Sequence, residues 1–136
     1  MKGMHPVALV LCVLFVAMMG CRGGGQIYNV KDAPITTATG RTPSLEQMQK
    51  AIITAGVGLG WQMSVVKPGE IIGTLNLRSH QAVVSITFTT KRYSITYKDS
   101  KNLKYDAATQ TIHENYLAWI QRLDGAIRTR LTAADM

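Results

Sequence analysis

"PGEIIGTLNLRSHQAVVSITFTTKRYSITYK", residues 68–98, decides the fold. In Ala82–Thr89, the residues Ala82, Val84, Ile86 and Phe88 alternate with Val83, Ser85, Thr87 and Thr89. A period of two with one apolar face predicts a strand. Tyr93–Lys98 repeats the pattern, with Tyr93, Ile95 and Tyr97 on one face. Ile71–Arg78 precedes them, and upstream of it Trp61–Val66 runs into Lys67-Pro68-Gly69-Glu70. Pro68 and Gly69 suit the two central positions of a type II turn. All the connections are short, which favours antiparallel neighbours. The stretch therefore reads as a four-stranded meander.

Helical periodicity flanks the meander on both sides. Ser44 and Gln47 form a capping box, and Leu45, Met48, Ile52, Ala55 and Leu59 follow at spacings of three and four. This predicts a helix from about Leu45 to Gly56, loosened by Gly56, Gly58 and Gly60. Downstream, Thr111 and Glu114 make a second capping box. Ile112, Tyr116, Trp119, Ile120, Leu123, Ile127 and Leu131 form an apolar stripe, with Arg122, Arg128 and Arg130 toward the helix end that favours cations. The expected fold is a two-layer α+β domain over residues 44–132. Its four-stranded antiparallel meander is covered by two helices, in the order α-β-β-β-β-α. Residues 133–136 are left as a tail.

The N-terminal region has a different composition. Lys2 and His5 precede an uncharged apolar run, Val7–Gly20. That run is shorter than the roughly 20 residues a membrane-spanning helix needs. A basic start, an apolar run and a small residue before a cut describe a secretory signal. Met18-Met19-Gly20-Cys21 resembles the lipobox of bacterial lipoproteins: Gly20 and Cys21 match its pattern, and Met18 and Met19 depart from it. The resemblance implies a signal peptide over residues 1–20 and lipidation of Cys21. Cys12 lies inside the apolar run, so cleavage leaves Cys21 as the lone cysteine and allows no intramolecular disulfide. Several acyl chains make a durable anchor. Arg22, rather than Asp, follows the cysteine, which by the same resemblance points to the outer membrane. Residues 22–43, rich in Gly and Thr and broken by Pro34 and Pro43, read as a flexible tether. Such a chain of about 20 residues spans roughly 25 Å root-mean-square. "QIYNV", residues 26–30, alternatively reads as a short strand added to a sheet edge.

The chain carries 15 Lys and Arg against 8 Asp and Glu, a net charge of +7. Removal of residues 1–20 takes away Lys2 alone and leaves +6. An exported protein of that charge meets anionic lipid, lipopolysaccharide or wall polymers rather than nucleic acid; the alternative is that +6 is simply solubility charge.

The densest polar cluster is "YSITYKDSKNLKYD", residues 93–106. Tyr93, Tyr97 and Tyr105 offer flat contact surface, and Lys98, Lys101 and Lys104 would meet an anion, so these six residues form a possible ligand edge. The alternative is a strand leaving its sheet through an ordinary turn with a solvated charged face. No enzymatic role is expected. Ser100, His113 and Asp99 are the least improbable triad, but no strand–turn–helix elbow surrounds Ser100. The acids are too scattered for paired-carboxylate chemistry. His5, His80 and His113 lack metal-ligand spacing, and no cofactor is expected. The glycines of "AGVGLG", residues 55–60, follow a predicted helix rather than a strand, unlike a dinucleotide fingerprint. Trp61 and Trp119 sit on apolar faces and read as core aromatics.

"AIITAGVGLGW", "PGEIIGTLNLRSHQAVVSI", "YSITYKDSKNL" and "IHENYLAWIQRLDGAI" resemble recurrent blocks of a group of small, functionally uncharacterised proteobacterial envelope lipoproteins. The likeness covers residues 45–131. The lipobox, the tether and the absence of a catalytic set lead to the expectation of an outer-membrane-anchored, periplasm-facing binding or scaffold module, with an envelope protein or an anionic polymer as its partner. The likeness itself implies only an envelope lipoprotein with this helix–meander–helix order. It implies no catalytic residue.

Overall fold

The computed structural model describes residues 24–133. The expected signal peptide, the lipobox with Cys21, and Arg22 lie outside the described residues, as do positions 134–136 of the expected tail.

The overall class is α+β. The element order is β1 (Gly24–Gln26), β2 (Val30–Pro34), α1 (Leu45–Gly58), β3 (Gln62–Lys67), β4 (Glu70–Leu77), β5 (His80–Phe88), β6 (Arg92–Lys101), β7 (Thr111–His113) and α2 (Glu114–Ala133). The predicted meander is β3–β6, and all its neighbours pair antiparallel. The main sheet has five strands rather than four, in the order β2-β6-β5-β4-β3, and β1 and β7 form a separate two-stranded sheet. The fifth strand, β2, comes from the stretch expected to be a tether. Its sequence Val-Lys-Asp-Ala-Pro gives little strand signal. Asp32 adopts a left-handed φ of 45° at a register shift between Val30 and Ala33. Pro34, which has no N–H to donate, is tolerated because β2 is an edge strand.

The tether expectation is thus corrected for residues 24–34. The chain forms strands at Gly24–Gln26 and Val30–Pro34, which take in only the end residues of "QIYNV", Gln26 and Val30, with Ile27, Tyr28 and Asn29 linking them. Beyond β2, Ile35 N–H donates to Lys91 C=O at 3.0 Å and so ties the chain to the β5–β6 turn, while the buried Thr37 donates its hydroxyl to Arg41 C=O at 2.8 Å within the loop itself.

Helix α1 begins as its sequence requires. Gln47 N–H donates to Ser44 Oγ at 3.1 Å, and Ser44 N–H to Gln47 Oε1 at 2.8 Å. It ends where Gly60, at φ 89°, turns left-handed. Gly60 N–H then reaches Val57 C=O, and Trp61 N–H reaches Gly56 C=O, a pair of bonds that satisfies carbonyls the last turn leaves open.

The second capping box does not form. Residues 111–113 are drawn into β7 by pairing with β1 (Gly24↔His113, Gln26↔Thr111), so α2 starts at Glu114. His113 Nδ1 takes over at the helix start by accepting from Asn115 N–H at 3.1 Å.

Pro68-Gly69 closes the β3–β4 hairpin with Gly69 at φ 84°, as a type II turn requires. Type II turns splay hairpin strands. Here Val66, unpaired between Val65↔Ile71 and Lys67↔Glu70, takes up the mismatch as a bulge. One sheet face is covered by both helices. Ile71, Leu75, Val84, Ile86 and Ile95 from the sheet, Met48 and Ile52 from α1, and Ile120, Leu123 and Ile127 from α2 are all buried in one core. Each such side chain contributes roughly 1.5–3 kcal/mol by leaving water.

Candidate functional site

The six residues of the expected ligand edge divide between two places. Tyr93 is in the core, 1% exposed. Its Oη donates to Asp124 Oδ1 at 2.5 Å, and Asp124 Oδ2 accepts from Arg128 Nε at 3.1 Å. Burial, reinforced by the Asp124 hydrogen bond, pushes the Tyr93 hydroxyl's pKa well above its ordinary value. Tyr93 therefore ties β6 to α2 rather than lining an exposed edge.

The other five gather at the end of β6. A register shift opposite Val83 and Val84 leaves Lys98 unpaired between Tyr97 and Asp99. This bulge resets the alternation, so Tyr97 and Ser100 share the helix-facing side and Tyr97 Oη lies 2.9 Å from Ser100 Oγ. On the β2 side of β6, Tyr97 N–H donates to Asn29 Oδ1 at 2.9 Å. The Tyr97 ring lies 4.4 Å from that of Tyr105 and meets the Tyr116 ring edge-on at 5.7 Å. Burial raises the Tyr97 pKa, and the Ser100 hydrogen bond opposes that rise. Tyr105 is 37% exposed. Lys98, Lys101 and Lys104 are all exposed, and none enters an ion pair among the described residues.

The fold also brings in residues that sequence reasoning did not place here. Tyr116, read only as part of the α2 stripe, backs the tyrosine cluster. It is fully buried, and its Oη has no hydrogen-bond partner among the described residues. Burial raises its pKa strongly. The signal was present in the sequence, since a lone hydroxyl in an Ile/Leu/Trp stripe must find a partner or remain costly.

Arg78, at the β4–β5 turn with φ 55°, adds a fourth cation. The turn is stitched to the chain after β6 by Asn102 Nδ2 donating to Ser79 C=O at 2.6 Å and by His80 Nδ1 bonding Asn102 C=O at 2.8 Å. Leu103, buried beneath, accepts His113 N–H through its carbonyl at 2.8 Å. The His80 and His113 rings then lie 6.4 Å apart. They are two imidazoles, and no group of three or more metal-type ligands occurs among the described residues.

Nearby acids serve the backbone. Asp99 Oδ1 accepts from Ser100 N–H at 2.8 Å, and Asp106 Oδ1 accepts from the N–H groups of Ala108 and Thr109. Ser100 Oγ is engaged with Tyr97 and His113 Nδ1 with Asn115, so no hydrogen-bonded relay of Ser100, His113 and Asp99 is assembled among the described residues.

At the α1 C-terminus, the "AGVGLG" glycines form the helix end already described. Trp61 and Trp119 are buried. With Leu59, Leu75, Leu77 and Arg122 they line a cleft of about 120 Å³, well below the roughly 300 Å³ at which small-molecule sites begin.

The resulting surface offers ammonium and guanidinium groups beside an exposed phenol. Lysines meet phosphate as mobile point charges, and a tyrosine presents an apolar ring with a polar tip. No helix among the described residues is long and apolar enough to cross a membrane. No protein-family model matches the chain, and neither a curated protein nor a solved structure matches it.

Proposed function

We propose that the protein is a membrane-anchored bacterial lipoprotein with a small periplasm-facing domain that binds or scaffolds rather than catalyses. The observation that carries this reading is Gly20-Cys21 at the close of the apolar run Val7–Gly20, three residues before the first strand. Lipidation of Cys21 explains why that cysteine stands alone after an export signal. Incorporation of labelled palmitate is the test. The wild type should take up label and Cys21→Ala should not; equal uptake would overturn the anchor.

A second reading concerns the basic edge. Lys98, Lys101 and Lys104 are exposed and unpaired among the described residues, next to the exposed Tyr105. This favours an anionic envelope component as ligand, either lipopolysaccharide or a wall polymer. Replacing the three lysines together should weaken binding to such a polymer and flatten its salt dependence.

A further inference from the structure

The place where the chain enters the domain and the place where its basic edge lies are the same end of the molecule. Gly24 is paired with His113. The His113 ring stacks on His80, and its N–H bonds Leu103 C=O. Arg78 is in the turn beside His80, Lys101 is paired with Gln81, and Lys104 follows Leu103. The opposite end of the sheet, at the β5–β6 turn, is a full strand away. β5 has nine residues, which is about 30 Å.

Gly24 is three positions after Cys21, so their Cα atoms are at most about 11 Å apart. A lipid on Cys21 would therefore hold this end, and not the β5–β6 turn, at the bilayer surface. We propose that the end formed by Arg78, Lys101, Lys104 and Tyr105 rests on the anionic phospholipid headgroups of the leaflet that holds the anchor. This rests on the lipid-anchor reading, and it takes phospholipid headgroups, in place of lipopolysaccharide or a wall polymer, as the anionic component met by the basic edge.

The charges there are mixed. Arg78, Lys98, Lys101 and Lys104 are accompanied in this region by Asp99, Asp106 and Glu114. All seven are exposed; Asp99 and Asp106 each engage one carboxylate oxygen with backbone N–H groups, and the four cations outnumber the three acids. A modest attraction is enough because the short connection keeps the local headgroup concentration high. Tyr105, half ring and half hydroxyl, suits the interface between headgroup and water.

The test uses the full-length acylated protein reconstituted into vesicles, with a fluorophore on Ser79→Cys or on Lys91→Cys and a quencher on the lipid headgroups. In phosphatidylglycerol vesicles the Ser79 probe should be quenched at least about threefold more than the Lys91 probe, and high salt should erode that difference. Reversing Arg78, Lys101 and Lys104 to Glu should remove it while the protein still floats with the vesicles. Equal quenching at the two sites, or a difference indifferent to both salt and charge reversal, overturns the orientation. Failure to float with neutral phosphatidylcholine vesicles overturns the anchor instead. The two readings therefore fail separately.

Discussion

Tyr93 and Asp124 are joined across the layers of the domain: the phenol on β6 donates to the carboxylate on α2 at 2.5 Å. Arg128 completes the group, bonding the other carboxylate oxygen and lying 5.8 Å above the Tyr93 ring. A charge-assisted bond in a half-buried setting is stronger than an ordinary one. Tyr93→Phe should lower stability by about 1.5–3 kcal/mol, read as a shift of the urea midpoint at constant m-value. Arg128→Ala, at an exposed position, should cost less than about 1 kcal/mol. The reverse ranking would mean the ion pair, not the phenol, fastens the helix.

Alkaline pH should unfold the protein through its buried tyrosines. Tyr93, Tyr97 and Tyr116 all have raised pKa values in the folded state, with burial the leading cause. The unfolded phenols lose protons near pH 10 while the folded ones still hold theirs. Stability from this source is complete below about pH 10 and falls as pH rises beyond it. Urea midpoints collected from neutral pH upward, alongside tyrosinate absorbance, check this. Tyr93→Phe should make the decline shallower, and an unchanged slope would contradict the assignment.

Tyr116 gives the opposite expectation from Tyr93. Its hydroxyl is buried without a partner among the described residues, and an unsatisfied buried hydroxyl costs about 1–3 kcal/mol. Tyr116→Phe should leave stability unchanged or raise it by about 1 kcal/mol, seen as an equal or higher Tm. A clear loss would reveal a bound water serving the hydroxyl.

Two glycines should respond in opposite senses to alanine. Gly69 sits at φ 84°, and a Cβ there would lie 2.9 Å from the Phe88 carbonyl oxygen. Gly69→Ala should destabilise by about 1–3 kcal/mol. Gly58, at the end of α1, has open space around it, so Gly58→Ala should stabilise by roughly 0.5 kcal/mol. Thermal melts of the two variants separate the effects.

The α+β class, the four meander strands and both helices were legible because each rests on local periodicity. β4 and β5 alternate cleanly, and α1 carries its own cap. What escaped reading depends on partners distant in sequence. β2 has an unpromising sequence and exists because β6 offers an open edge; β7 displaces the Thr111 cap because β1 arrives beside it. At the candidate site, Tyr97, Tyr105 and the lysines were legible as a cluster. In the sequence Tyr93 falls with them because it shares an alternation with Tyr97. The Lys98 bulge and the separate bond to Asp124 are tertiary facts that alternation does not encode. Arg78 and Tyr116 join the site only through the folding of the β4–β5 turn and α2 onto it.

The β1–β7 pair has a mechanical consequence. Gly24, Gly25 and Gln26 lie antiparallel to His113, Ile112 and Thr111, and Ile27 N–H extends the pairing to Gln110 C=O at 2.8 Å. A pull on the chain at Gly24, directed away from the domain, loads these bonds one after another rather than together. Three residues of strand would peel before the load reaches Asn29 and the β2 edge of the main sheet. Pulled across the strands, the pair would open as a fuse, lengthening the connection by the residues of β1 while the five-stranded sheet, which shares no strand with it, keeps its own pairing.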